Sequence, residues 1–149
     1  MEKILNHSDT RVRRAYEIAS AAHRGQIDKA GVDYINHPLA VAANVGEDSS
    51  AIIVALLHDV AEDTPSTIDE LKKEIPLTDD EAKALELLTH DDDTPYLDYV
   101  KKIKSNGLAA KVKVADLKHN SDLSRIKNPT PKDFARVEKY KAALKLLNT

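Results

Sequence analysis

The segment running from Ser49 through Ala51-Ile52-Ile53-Val54-Ala55-Leu56-Leu57 is apolar nearly all round, then turns abruptly ionisable at His58-Asp59 and, after Val60-Ala61, at Glu62-Asp63. A helix that is apolar on every face belongs at the centre of a fold. Charge at the end of such a helix is costly to bury unless it is paired or bound to metal. On a 3.6-residue turn His58 and Glu62 share one face, as do Asp59 and Asp63, so two tiers of polar groups are expected where the helix ends.

The rest of the chain supplies helices to surround it. Val12, Ala15, Tyr16, Ile18, Ala19 and Ala22 recur at helical spacing behind Ser8-Asp9-Thr10, which predicts a capped helix over Asp9 to His23. Arg24 to Asn36, with Gly25 and Gly31, reads as a loop, and His37-Pro38 as the opening of a short helix with Pro38 at its first position. Thr67 is expected to cap a helix ending near Glu74, and Thr78-Asp79-Asp80-Glu81 has the capping-box pattern of one that runs to about Thr89. Thr94-Pro95 should start the next, with Thr94 as its cap, and Asn106-Gly107 should stop it in the left-handed manner. Leu108 to Leu123 and Lys132 to about Leu147 complete the series, separated by the break Asn128-Pro129-Thr130-Pro131. Four Gly and six Pro are too few for a turn every ten residues. The expectation is an all-α, compact helical bundle, with residues 1–149 forming a single domain.

Composition narrows the chemistry. With no cysteine, any metal must be held by His nitrogens and carboxylate oxygens. A net charge of -3 gives no attraction toward nucleic acid or anionic membrane, and with five Tyr, one Phe and no Trp a platform for stacking successive bases is hard to build. No window reaches the ~18 apolar residues of a membrane span, and the first residues lack a signal peptide's apolar region, so a cytoplasmic protein is expected.

A second polar cluster, Ala115-Asp116-Leu117-Lys118-His119-Asn120, places Asp116 and Asn120 one turn apart among apolar neighbours, and His37 stands at a helix start behind Tyr34-Ile35-Asn36. His37, His58, Asp59 and Asp116 together could supply the mixed imidazole and carboxylate ligands of a catalytic divalent ion. Side chains of adjacent helical residues diverge by about 100°, so His58 and Asp59 can share one ion only where the helix faces it obliquely.

The ordered series His37, His58-Asp59 and Asp116 resembles the metal-binding signature of the HD phosphohydrolase superfamily. The surrounding words Ala22-His23-Arg24-Gly25-Gln26, Lys29-Ala30-Gly31, Tyr34-Ile35-Asn36-His37-Pro38-Leu39, Leu56-Leu57-His58-Asp59-Val60-Ala61-Glu62-Asp63-Thr64 and Ala115-Asp116-Leu117-Lys118-His119-Asn120 resemble the hydrolase domain of RelA/SpoT-type alarmone enzymes, in the small stand-alone form. The resemblance implies removal of the 3′-pyrophosphate from guanosine 3′,5′-bis(diphosphates) with one Mn²⁺. It implies His37, His58, Asp59 and Asp116 as metal ligands and Glu62 and Asp63 as catalytic residues. Lys29, Arg24, Tyr34 and Asn120 are the candidates for holding the nucleotide. The loop departs from the family's Arg-Lys-Ser-Gly: it reads Asp28-Lys29-Ala30-Gly31, with an anion where a cation lying against guanine is expected. A related nucleotide or another phosphoester therefore stands as an alternative substrate, and a nucleotide sensor without turnover as an alternative of another class.

Plainer roles are expected elsewhere. His23 should steady the loop, His119 should support a ligand or pack beside Asp116, and His7 and His90 should be surface residues. Asp91-Asp92-Asp93 reads as a solvated turn, and Arg11, Arg13 and Arg14 as a solvated helix face.

Overall fold

The computed structural model describes residues 2–149. Among them there are nine α-helices, one short 3-10 turn and no strand; the only strand-like pairing is an isolated bridge between Ile27 and Asp33. In chain order the helices are α1 (Glu2–Leu5), α2 (Thr10–Ala22), α3 (Asn36–Ala43), α4 (Ser49–Asp63), α5 (Ile68–Glu74), α6 (Asp79–Leu88), α7 (Tyr96–Lys104), α8 (Gly107–Asn120) and α9 (Pro131–Leu147). The all-α expectation holds.

Helix α4 is the axle. Every residue from Ala51 to Val60 is buried, and α2, α3, α6 and α8 pack around it. Helices α7 and α9 close the bundle against α8. Each of Ile52, Ile53, Leu56 and Leu57 is fully buried, and removing such a side chain from water stabilises the fold by about 1.5–3 kcal/mol. Asp48 caps α4 through the Ser50 amide, and Gly46 makes the turn before it at φ 86°, a left-handed conformation that glycine adopts without steric penalty.

Most helix starts follow the sequence. Asp9 caps α2, Thr67 caps α5, and Thr78 with Glu81 and Thr130 with Asp133 form capping boxes at α6 and α9. Three features differ. Asn106-Gly107 does not end α7 with a left-handed residue: Asn106 caps the start of α8, its side chain accepting from the Ala109 amide, and Gly107 is that helix's first residue. Pro95, without a side-chain bond, occupies the cap position of α7 that Thr94 was expected to fill. Helix α3 begins at Asn36, so Pro38 sits one residue past His37 inside the first turn rather than at its first position.

Glu81 does more than cap. It is fully buried, and its carboxylate accepts from the Arg11 guanidinium at 2.6 and 3.2 Å, from Ser50 Oγ at 2.6 Å and from the Thr78 amide at 2.9 Å. Burial alone would raise the Glu81 pKa, but these donors outweigh it and hold the carboxyl below its usual range. Arg11 therefore ties α2 to α6 and is no part of a solvated face, whereas Arg13 and Arg14 pair with Glu17 near the surface.

Candidate metal centre

Three helices deliver the predicted ligands to one point. His37 lies in the first turn of α3, His58 and Asp59 near the end of α4, and Asp116 near the end of α8, and all four are buried. Each offers one ligand atom, and these atoms all lie within 4.8 Å of one another. His37 Nε2 is 2.7 Å from Asp116 Oδ1 and 3.4 Å from Asp59 Oδ2; His58 Nε2 is 3.3 Å from Asp59 Oδ1 and 3.5 Å from Asp116 Oδ1. The adjacent residues His58 and Asp59 of α4 thus face the same point.

The ring tautomers suit a cation. His58 Nδ1 donates to the Ala55 carbonyl at 2.7 Å, which places the neutral ring's lone pair on Nε2. That buried Nε2 has no hydrogen-bond partner. His37 Nδ1 is 2.7 Å from His119 Nδ1, and burial, with His37 and Arg125 nearby, pushes the His119 pKa down. A neutral His119 can accept the His37 Nδ1 proton, which leaves His37 Nε2 free to ligate. His119 thus backs the His37 ring directly. Burial pulls the His58 pKa down, yet Asp59 and Asp116 push it up to about 9. The two carboxylates thus favour positive charge at His58, the charge a divalent ion would bring to the same point. An orphaned imidazole nitrogen, two acids and neutral partners behind both rings fit a divalent metal.

Lys113, which the sequence reading passed over, completes the electrostatics. It is buried on α8 one turn before Asp116, and its ammonium donates to Asp116 Oδ2 at 3.0 Å and lies 5.3 Å from the centre of the Tyr99 ring. Burial would raise the Asp116 pKa, but Lys113, His37 and His58 keep it well below the usual carboxylate range. The i,i+3 spacing of Lys113 and Asp116 was the available signal. Asn120 Nδ2 donates to Asp116 Oδ1 at 3.2 Å from the next turn.

A cavity of about 250 Å³ opens over the centre, lined by Asp59, Glu62, Asp63, Asp116, Lys113, Tyr34, Asn120 and, from α7 and α9, Tyr96, Tyr99, Lys139 and Tyr140. Burial raises the Glu62 carboxyl, with Lys113 opposing, and burial and then Asp59 raise that of the more exposed Asp63. The Tyr34 hydroxyl, kept protonated by burial and by Asp59, donates to Asp59 Oδ2 at 2.9 Å. His90 corrects its surface expectation. It is half-buried, stacks on Tyr99 and lines this cavity. His23 is buried, bonds Gln26 and packs on Tyr34, apart from the ligand cluster.

A second cavity, about 430 Å³, shares Tyr34, Asn120 and Tyr140 with the first and adds Asp28, Lys29, Arg125 and Arg136. Asp28 does not present a free anion to it. Its Oδ1 accepts from the Ala30 and Val32 amides at 2.8 and 3.1 Å, and its Oδ2 from Arg125 at 3.3 Å. The loop aspartate is thus consumed in shaping its own turn and in holding a guanidinium that arrives from the turn after α8. Arg24 is exposed and lines neither cavity.

The HD domain model matches residues 15–88, the stretch that carries His37, His58-Asp59, Glu62 and Asp63. The chain belongs to the HD domain family. Within this HD domain protein, Asp116 and Asn120 lie beyond the matched stretch. It is 46% identical over 79 residues to a guanosine-3′,5′-bis(diphosphate) 3′-pyrophosphohydrolase of Aquifex aeolicus, covering 49% of this chain and 11% of that protein. It is also 46% identical over 66 residues to the bifunctional (p)ppGpp synthase/hydrolase SpoT of Escherichia coli K12, covering 42% of this chain and 9% of that one. The chain thus spans about a tenth of the length of these curated relatives. Among solved structures, a metazoan ortholog of SpoT described as hydrolysing ppGpp superposes with a TM-score of 0.75 over 95% of this chain and 87% of the other, at 21% identity. That likeness establishes a shared fold.

Proposed function

We propose that this HD domain protein is a metal-dependent phosphohydrolase that removes the 3′-pyrophosphate from guanosine 3′,5′-bis(diphosphate). The observation that carries the reading is the meeting of His37, His58, Asp59 and Asp116 at one buried point, with Glu62 and Asp63 in the cavity directly over it. The activities of the relatives from Aquifex aeolicus and Escherichia coli support the substrate.

His37, His58, Asp59 and Asp116 would hold one divalent ion, which we take to be manganese. Such an ion supplies Lewis acidity, acidifying water and offsetting charge on phosphoryl oxygens. Glu62, half-buried with its pKa raised, is positioned to take a proton from the attacking water. Asp63 and the Tyr34 hydroxyl orient groups at the cavity mouth. Asn120 presents its remaining amide valences to both cavities, and Lys29 offers a cation to the nucleotide's second phosphate group. Water adds to the 3′ phosphorus, the bond from that phosphorus to the sugar oxygen breaks, and the sugar oxygen takes up a proton as pyrophosphate leaves.

The test is to incubate manganese-loaded protein with guanosine tetraphosphate beside a panel of other nucleotides. Release of pyrophosphate together with GDP is expected. Release from another nucleotide alone would reassign the substrate, and binding without release would make the protein a sensor.

A further inference from the structure

The cavity over the metal centre has four carboxylates in its wall, so a polyanionic substrate requires cations placed to receive it. Lys113 is already committed to Asp116. Lys139, from α9, is different: it is exposed at the cavity, makes no ion pair with a carboxylate among the described residues, and its Nζ sits 4.2 Å from the centre of the Tyr96 ring. That cation–π contact holds a flexible side chain in one place without neutralising it. Tyr96 carries a second, independent sign of a missing ligand. Its hydroxyl is buried without any hydrogen-bond partner, although a buried hydroxyl is nearly always bonded. Burial pushes its pKa up to about 12, so at neutral pH it is a proton donor. The ring is held against Tyr99, Tyr140 and His90, so the hydroxyl is fixed rather than free to seek water.

We propose that Lys139 and Tyr96 form a subsite for the outer phosphate of a diphosphate whose inner phosphorus lies at the metal centre, so that the site prefers a diphosphate ester to the corresponding monophosphate ester. The proposal rests on the phosphohydrolase reading above and deepens it by assigning the group that makes the leaving fragment pyrophosphate rather than phosphate. A monophosphate would fill the metal side of the cavity and leave the Lys139–Tyr96 wall without a partner. The outer phosphate would receive one N–H and one O–H donor, both aimed from the α7–α9 side.

Inorganic pyrophosphate and inorganic phosphate are the probes. Calorimetric titration of manganese-loaded wild type, Lys139→Gln, Lys139→Arg and Tyr96→Phe, with bound manganese quantified before and after, separates the roles. Loss of a charge-assisted hydrogen bond should weaken pyrophosphate binding about tenfold in Lys139→Gln. Tyr96→Phe should weaken it several-fold, Lys139→Arg should retain most of it, and phosphate binding should change less than about twofold because one anion cannot span both ends of the cavity. In turnover, the preference in kcat/KM for a 3′-diphosphate over the matching 3′-monophosphate should fall by a similar factor. Wild type that binds the two anions equally, or variants that bind pyrophosphate as wild type does, would overturn the subsite. Wild type that binds pyrophosphate through these residues yet leaves guanosine tetraphosphate intact would instead contradict the proposed substrate while sustaining the subsite.

Discussion

His37 Nε2 lies 2.7 Å from Asp116 Oδ1, across 79 residues of sequence, and that contact joins the start of α3 to the end of α8. Their meeting is imposed by α4, against which α3 and α8 both pack while also packing on each other, with the His58-Asp59 pair beside the contact.

The Lys113–Asp116 pair should behave as a buried ion pair whose rupture strands a charge. Lys113→Met is expected to destabilise the metal-free protein by about 3 kcal/mol. Manganese should restore part of that loss by taking over the neutralisation of Asp116. The check is the rise in melting temperature on adding manganese, which should be larger in Lys113→Met than in wild type; equal rises would show that Asp116 does not depend on Lys113.

Glu81 predicts an acid-sensitive staple. Its folded pKa lies below the ordinary 4.5, so the unfolded chain takes up its proton first as pH falls. The associated stability is fully present above that ordinary value and disappears as pH drops through the lowered folded one. Glu81→Gln should therefore lose about 1.5–3 kcal/mol at pH 7. In urea titrations the gap between the two proteins should shrink progressively below about pH 4.5. A gap that is constant with pH would remove the ionised carboxylate from the explanation.

His119 should matter to the metal more than to the fold. It is half-buried at the end of α8, its Nδ1 lies 2.7 Å from His37 Nδ1, and replacing such a supporting partner typically weakens metal affinity about 10–100-fold. Competition with a chelating dye on His119→Phe would measure it. Unchanged affinity would mean that His37 needs no partner to present Nε2.

Much of this architecture was legible because its signals are local. Thr78 with Glu81 and Thr130 with Asp133 announce helix starts through side-chain chemistry that three neighbouring residues complete. His58 and Asp59 stood out as candidate ligands because buried ionisable groups at the end of an apolar helix have few other uses, and His37 and Asp116 because they complete the ordered series that resembles the HD signature. Asn106-Gly107 misled because the same pair suits a helix end or a helix start, and only the short spacing between α7 and α8 decides between them. Arg11 and His90 looked like surface residues because their partners, Glu81 on α6 and Tyr99 on α7, come from other elements. Asp28 is the clearest case. Read along the chain it is a misplaced anion, and only the fold brings Arg125 to it.

Asp28 and Arg125 should accordingly act as one unit. Asp28→Ala and Arg125→Ala are each expected to raise KM several-fold by loosening the loop that carries Lys29, with kcat little changed. The double variant should be hardly worse than either single one, because the second change removes an interaction already lost. Additive effects would assign the two residues separate roles.

His37, His58, Asp59 and Asp116 are proposed to hold a single divalent ion. Anomalous diffraction at the manganese edge from crystals of the manganese-loaded protein tests it most directly. One anomalous peak bonded to His37 Nε2, His58 Nε2 and the carboxylates of Asp59 and Asp116 is expected. No peak at that point, or a peak that leaves two of the four side chains out of coordination, would contradict it.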